Sequence, residues 1–234
     1  MTSRLTPLVA VLALAACEPA NPPVGPPEGP GLGVSCAGGA TFYGRYFKCH
    51  LRGGHGRVSL HKGLAQSCDV YFYNVGNKTG VDTIAKYAEA MGLGSKTGID
   101  LPNEASGVIP STKWKMRMFR QKWYAGETIS VAIGQGAVAI SPLQLAYSVG
   151  GLARGGVFYR PHLVKTDKLE PPKIVKFNPE NVQKVIAGMY AVVNEGGTGV
   201  RARLPGISVC GKTGTAQTAS NEKAKTHKFL DNAW

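Results

Sequence analysis

The chain of 234 residues is long enough for one or two domains with a real core, and 18% charged against 43% hydrophobic residues excludes a wholly disordered polypeptide. Its 27 Lys and Arg against 14 Asp and Glu leave a net charge of +13, which suits a polyanionic neighbour such as nucleic acid, a membrane surface or an anionic wall polymer. Apart from "KWKMRMFRQK" at 113–122 the cations are scattered, so a solvated basic surface explains the charge as well as a binding patch does.

Residues 1–17 carry one Arg, an apolar stretch over 7–16 and then Cys17. That stretch is too short to cross a bilayer as a helix. Two readings stand: a secretory signal, in which Leu14-Ala15-Ala16-Cys17 resembles the lipobox of bacterial lipoproteins, or a buried helix from a domain whose beginning is cut away. Residues 18–33, "EPANPPVGPPEGPGLG", read as a flexible linker, and 34–234 as the globular part.

Residues 34–57 are rich in Gly and aromatics, lack helical periodicity, and carry Cys36, Cys49, His50 and His55. Apolar spacing over 58–75 predicts two short helices broken near Ser67-Cys68-Asp69. Asp82 is placed to cap a helix with an apolar face of Ile84, Tyr87, Ala88 and Met91, closed by Gly92 or Gly94. Residues 99–130, with Pro102, Pro110 and a Trp-rich basic stretch, are expected to be loop with little regular structure. Ser141-Pro142-Leu143-Gln144 is a strong helix start, a Ser N-cap with Pro first and Gln completing a capping box, and that helix should stop at Gly155-Gly156. Asn178-Pro179-Glu180 opens another, with Val182, Val185, Ile186, Met189, Tyr190 and Val193 on one face and Gly196-Gly197 at its end. Strand-like pieces fall at 156–159, 173–177, 207–210 and 228–234. Helices first and a sheet arriving late predict an α+β domain without internal repeats.

Lys-Thr-Gly occurs three times, at 78–80, 96–98 and 212–214. The first ends a helix and the second lies in a loop. The third follows the β-prone Ile207-Ser208-Val209-Cys210 and leads into Thr215. A strand ending in Lys212-Thr213-Gly214-Thr215 displays a cation, two hydroxyls and free N–H groups, which suits a carboxylate and a developing oxyanion. Cys36, Cys49, His55 and Cys68 supply three thiols and an imidazole, a complete tetrahedral set for structural zinc; a Cys36–Cys49 disulfide is the alternative in an exported protein. His50 is the alternative imidazole, His61 is expected at the surface, and Cys210 as a buried small apolar residue.

Lys212–Thr215, Ser67-Cys68-Asp69 far upstream and "GQGAVAISPLQLA" (134–146) between them resemble the transpeptidase domain of penicillin-binding proteins, in its class B, cell-elongation branch. "GHGRVSLHKGLAQSCDVYFYNVG" (54–76), "TGIDLPNEASGVIP" (97–110) and "EGGTGVRARLPGISVCGKTGTAQ" (195–217) carry the same likeness in the same order. The resemblance implies a partial domain of the penicillin-binding protein/serine β-lactamase-like fold, with a helical cluster and a truncated antiparallel sheet. It implies acyl transfer from D-Ala-D-Ala stem peptides of peptidoglycan, β-lactam binding, an exported or membrane-anchored location facing the periplasm, and cell-elongation membrane proteins as partners. No organic cofactor and no nucleic-acid partner is expected.

Carried over residue by residue, Ser67 would relay protons, and Asp69 would orient the substrate amide or the catalytic lysine. Lys212, Thr213 and Thr215 would bind the terminal carboxylate, and the Thr215 N–H beyond Gly214 would supply half an oxyanion hole. Ser67 as a helix cap and Asp69 as a local backbone acceptor are the alternatives. Some members of the branch hold zinc with His and Cys at the positions of His55 and Cys68, and a metal there would fix the Ser67–Asp69 turn from behind. The nucleophile motif Ser-x-x-Lys is not found in a usable position. Ser3-Arg4-Leu5-Thr6 has its shape, but Thr6 replaces the base, and proton abstraction from Ser3 should be crippled. "KFLDNAW" (228–234) resembles the start of a strand pairing with the Lys-Thr-Gly strand, whose edge is otherwise expected to lie open. The reading is therefore a fragment with impaired catalysis. Binding without catalysis stands beside it, followed by a zinc-containing nucleic-acid binder and, lower, a β-lactamase or β-lactam sensor.

Overall fold

A computed structural model describes residues 31–165 and 169–216, together with the backbone of 12–15 and 232–233. Ser3, Thr6 and Cys17, all but the last three residues of the linker 18–33, and most of 217–234 lie outside the described residues. The elements in order are β1 (Leu12–Ala15), β2 (Val34–Cys36), β3 (Gly39–Phe42), β4 (Arg45–Lys48), β5 (Gly56–Val58), α1 (Leu60–Ala65), α2 (Asp69–Thr79) and α3 (Val81–Ala90). There follow α4 (Thr112–Phe119), α5 (Ala125–Val131), α6 (Pro142–Ala153), β6 (Val157–Phe158), β7 (Lys173–Ile174) and α7 (Pro179–Asn194). A short 3-10 turn (Val200–Ala202), β8 (Val209–Lys212), β9 (Thr215–Ala216) and β10 (Asn232–Ala233) complete an α+β fold.

The strands pair as antiparallel twos: β2 with β5, β3 with β4, β6 with β7, β1 with β8, and β9 with β10. The glycine- and aromatic-rich segment 34–58 thus folds as two small sheets against α2. Its core joins Cys36, Cys49, Val58, Cys68, Val70, Tyr71, Tyr73 and Ile129, with the rings of Phe42 and Phe47 tilted against Tyr73. Phe42 and Phe47 alternate inward across the hairpin, a period of two that helical spacing cannot supply.

Both capped helices form where their signals fall. Ser141 Oγ accepts from Gln144 N at 3.1 Å while Gln144 Oε1 accepts from Ser141 N at 3.0 Å. Gln144 is fully buried, and its Nε2 donates to the carbonyls of Ser95 and Ser106, so this motif residue holds a loop in place. Asn178 Oδ1 caps α7, whose Val182, Met189 and Val193 are buried. Helix α7 lies close on α1 at Gly188, where a Cβ would stand 2.3 Å from Leu64 Cδ1.

Three expectations are corrected. Residues 99–130 contain two helices, α4 and α5. Ser111 Oγ caps α4 by accepting from Trp114 N at 3.1 Å, and the buried Lys115 pairs with Glu127 of α5 beneath the ring of Tyr124, 4.6 Å from its centroid. The Ser111 cap is a local signal, whereas the Lys115–Glu127 tie joins two segments and no apolar periodicity announces it. Asp82 is not the cap of α3: Gly80 is, and the Asp82 carboxylate accepts from Thr112 N and Oγ1 across the surface. Tyr87, assigned to the apolar face of that helix, is 57% exposed. Finally, the strand expected to start in "KFLDNAW" pairs, as β10, with β9 just beyond the Lys-Thr-Gly tripeptide, and strand β8 has a different partner along one edge. It pairs with Leu12–Ala15, which is extended although the apolar run was read as signal segment or helix remnant; Leu-Ala-Leu-Ala also alternates with the period of a strand.

Candidate active site

Lys212 ends β8 and Ser67 lies in the turn between α1 and α2; 145 residues apart, they meet with Lys212 Nζ donating to Ser67 Oγ at 2.8 Å. The ammonium also donates to the Thr213 carbonyl at 2.9 Å. Burial lowers the Lys212 pKa to about 8, against a smaller opposing pull from the negative charge of Asp69. Lys212 therefore remains mostly cationic at neutral pH, yet is easily neutralised.

The turn that carries Ser67 is itself unusual. Ser67 has φ +54°, a left-handed conformation that a residue with a Cβ adopts at some cost. Its N–H donates to the Leu64 carbonyl and that of Cys68 to Gly63, so the turn is tied back onto α1. Ser67 is not the helix cap: Cys68 occupies that position. Asp69 sits in the first turn of α2, where the helix dipole favours an anion, and its Oδ2 accepts from His50 N at 2.7 Å. Asp69 is thus a backbone acceptor in fact, on the face of the turn from which its charge reaches Lys212.

Thr213 Oγ1 stands 2.6 Å from Thr198 Oγ1. Thr198 went unnoticed in the sequence; the glycines around it in "EGGTG" were the signal, since they mark a loop pressed against its neighbours. Gly214 continues the turn, and Thr215 is exposed in β9, opposite Ala233 of β10. The structure therefore brings together Ser67, Asp69, Lys212 and Thr213. The other two Lys-Thr-Gly tripeptides are structural: Gly80 closes α2 with φ +79°, and the N–H groups of Thr97 and Gly98 are bound by Glu104. Ser59-Leu60-His61-Lys62 has Ser-x-x-Lys spacing, but Ser59 Oγ caps α1 and Lys62 Nζ donates to the His55 and Arg57 carbonyls.

Behind the turn, one ligand atom each from Cys36, Cys49, His55 and Cys68 lies within 4.8 Å of the other three, all four residues buried. Cys36 Sγ and Cys49 Sγ stand 3.7 and 3.5 Å from His55 Nδ1. A tetrahedral zinc with usual bond lengths has S···N edges of about 3.5 Å, so the donor set fits such an ion. The three cysteines are free thiols, which sets aside the Cys36–Cys49 disulfide. Burial pushes the Cys68 thiol up to about 12 and raises Cys49, while burial and then the charges of His50 and Lys62 lower His55. His50 points elsewhere, its Nε2 2.9 Å from the Gln66 carbonyl. His61 is partly covered and its Nε2 lies 2.9 Å from Glu195 Oε2, joining α1 to the end of α7. Cys210 is buried, as its setting in the sequence suggested, and is disulfide-bonded.

This combination of an α+β fold with a lysine-threonine-glycine strand facing a serine turn has known relatives. The chain belongs to the penicillin binding protein transpeptidase domain family, which matches residues 34–234. It is 39% identical over 202 residues to the peptidoglycan D,D-transpeptidase MrdA of Acinetobacter baumannii, covering 79% of this chain and 30% of that protein. Identity to the MrdA of Haemophilus influenzae is 37%, covering 80% of this chain and 32% of that protein. The fold matches the penicillin-binding protein PBP2 of Helicobacter pylori, solved in complex with MreC, with TM-score 0.74 and 34% identity over 80% of this chain and 36% of that one. For PBP2 of Pseudomonas aeruginosa in complex with WCK 5153 the values are 0.72 and 37%, over 80% and 45%. The chain thus spans about a third of the length of the curated relatives it matches.

Proposed function

We propose that this chain is the substrate-recognising part of a peptidoglycan D,D-transpeptidase of the cell-elongation type. It takes the C-terminal carboxylate of a D-Ala-D-Ala stem peptide, or that of a β-lactam, between Lys212, Thr213 and Thr215, with Ser67 and Asp69 across from them. The single observation that carries this is the 2.8 Å bond from Lys212 Nζ to Ser67 Oγ, which joins the two signature segments into one cationic, hydroxyl-lined end of a site. A cation flanked by hydroxyls suits a carboxylate through charge-assisted hydrogen bonds. With such an anion bound, Lys212 stays protonated and Ser67 Oγ, already an acceptor, is held ready to pass a proton.

Recognition without turnover is the reading for these residues, supported by the likeness of Ser3-Arg4-Leu5-Thr6 to a Ser-x-x-Lys motif with Thr in place of the base. The relatives named for D,D-transpeptidation and the one solved with MreC support wall precursors as substrate, a periplasmic working face and elongation proteins as partners. No helix among the described residues is long and apolar enough to cross a membrane. Cys36, Cys49, His55 and Cys68 would hold a structural zinc ion, supported by their donor chemistry and mutual distances. When bound, zinc supplies a cross-link between the two small sheets and the start of α2, which stiffens the Ser67 turn and takes no part in acyl transfer.

The experiment is a pair of measurements on the same chain. Titration with a peptide ending in D-Ala-D-Ala should show saturable binding that Lys212→Met abolishes or weakens about tenfold or more. A fluorescent penicillin should compete with the peptide without labelling the protein covalently. Absence of peptide binding overturns the reading; covalent labelling overturns only its non-catalytic part.

A further inference from the structure

We infer that Thr198 is a positioning residue of this site, fixing the Thr213 hydroxyl and passing a hydrogen bond through it to the anion beside Lys212. The inference rests on the carboxylate reading of Lys212 and Thr213, and it adds a residue that lies outside the Lys-Thr-Gly and Ser67–Asp69 segments.

The loop that carries Thr198 leaves its backbone no slack. A Cβ on Gly197 would stand 2.6 Å from both the Ala65 carbonyl oxygen and Val192 Cα, and one on Gly199 would stand 2.9 Å from Val192 Cγ1. Thr198 N donates to the Ala65 carbonyl at 3.1 Å and Gly199 N to the Val192 carbonyl at 2.9 Å. The loop is therefore pressed onto the end of α1 and onto α7, with bonds on both sides of Thr198. Its side chain alone is turned outward, exposed, with Oγ1 2.6 Å from Thr213 Oγ1. Ala65 leads directly into the Ser67 turn. One residue consequently ties the serine side of the site, through its backbone, to the Lys-Thr-Gly side, through its hydroxyl.

A hydroxyl offers one proton and two lone pairs. When Thr198 donates to Thr213, the Thr213 proton is left to point at a third group, and the donation received strengthens the bond it makes. Without that partner Thr213, at the open end of a strand, is free to sample its staggered rotamers. Valine has the shape of threonine and no proton to give; serine has the proton without the methyl. These two substitutions separate hydrogen bonding from packing.

The test uses the full chain with Thr198→Val and Thr198→Ser. It reads the Thr213 methyl shift and side-chain couplings by NMR, and the dissociation constant for a peptide ending in D-Ala-D-Ala. In Thr198→Val the Thr213 signals should move to rotamer-averaged values and peptide binding should weaken about tenfold, the order expected for a bond to a charged ligand. Thr198→Ser should restore both, and the thermal midpoint of both variants should stay near that of the parent. A single unchanged Thr213 rotamer in Thr198→Val, or failure of serine to restore it, overturns the role of Thr198. A parent chain that does not bind the peptide, while its Thr213 rotamer still follows residue 198, instead overturns the carboxylate reading and the hand-over to an anion.

Discussion

Lys212 is held under two opposing demands, burial and the binding of an anion. Burial brings its pKa down from 10.5 to about 8. Below about 8 the folded chain therefore carries an ammonium that is less well solvated than in the unfolded chain. Between about 8 and 10.5 the folded chain has released that proton and the unfolded chain has not, so this site's contribution to stability rises with pH through that window. Carboxylate binding runs the other way, because it needs the cation. Affinity for a D-Ala-D-Ala peptide should be flat from pH 6 to about 7.5 and fall above about 8, while Lys212→Met shows weak binding and no such fall. An affinity that holds constant to pH 9.5 would exclude Lys212 as the anion's partner. Ser67 adds a second residue-scale test. Its φ of +54° is easier for glycine, so Ser67→Gly should leave stability unchanged or raise it by up to about 1 kcal/mol in urea unfolding, although the Lys212 bond is lost.

Among elements, the contact that matters most to the site is α7 on α1, since α1 runs straight into the Ser67 turn. Gly188 sets its closeness. On helix propensity alone Gly188→Ala should stabilise by about 1 kcal/mol. The added Cβ would stand 2.3 Å from Leu64 Cδ1 and 2.9 Å from Leu64 Cβ, and overpacking of this kind costs about 1–3 kcal/mol. The Leu64 Cβ cannot swing away as a side-chain tip can, so the net effect should be destabilising, read as a lower urea midpoint. A higher midpoint would mean that the helices part without penalty. The same scale explains which elements were legible. The capping box at Ser141 and the side-chain cap at Asn178 are local chemistry, complete within four residues, and the helices begin there. Helices α4 and α5 were missed although the Ser111 cap of α4 and the Trp123 Nε1 bond to Thr128 Oγ1 at α5 are local; only Lys115 on Glu127 links the one helix to the other. Asp82 has the right chemistry for a cap but spends it on Thr112, which the order of residues cannot foretell.

At the scale of the whole molecule, the segment 34–68 has little to bury beyond a small aromatic core, and four of its polar side chains converge at one point. If zinc joins them, chelation should act on more than the cluster itself. Treatment with a strong chelator should lower the thermal midpoint by about 10 °C, as expected for the loss of several kcal/mol in a chain of this size. Native mass spectrometry should show one zinc per chain before chelation, none after, and less in Cys68→Ser. A chain isolated free of metal with the same midpoint would remove zinc from the picture and leave Cys36, Cys49 and Cys68 as buried thiols. The net charge of +13 has a plainer reading at this scale: among the described residues Lys62, Lys115 and Lys212 have the partners named above, Arg160 donates to the Gly98 carbonyl, and a basic surface of this kind suits a polyanionic neighbour.

What the amino-acid order determined unaided was much of what depends on near neighbours or on recurring spacing. It marked the helices that begin at Ser141 and Asn178, the glycine that ends α2, and which of three Lys-Thr-Gly tripeptides stands on a strand. It also contained the four side chains of the cysteine-histidine cluster as an unassembled set. What only the tertiary structure decided was who meets whom. Lys212 finds Ser67 across 145 residues, Asp69 spends one oxygen on the His50 backbone, Thr198 reaches Thr213, and Leu12–Ala15 aligns along β8. The physical reason is range: backbone propensities and caps act over a few residues, whereas a hydrogen bond between distant segments exists only after burial of the apolar core has brought those segments within about 3 Å.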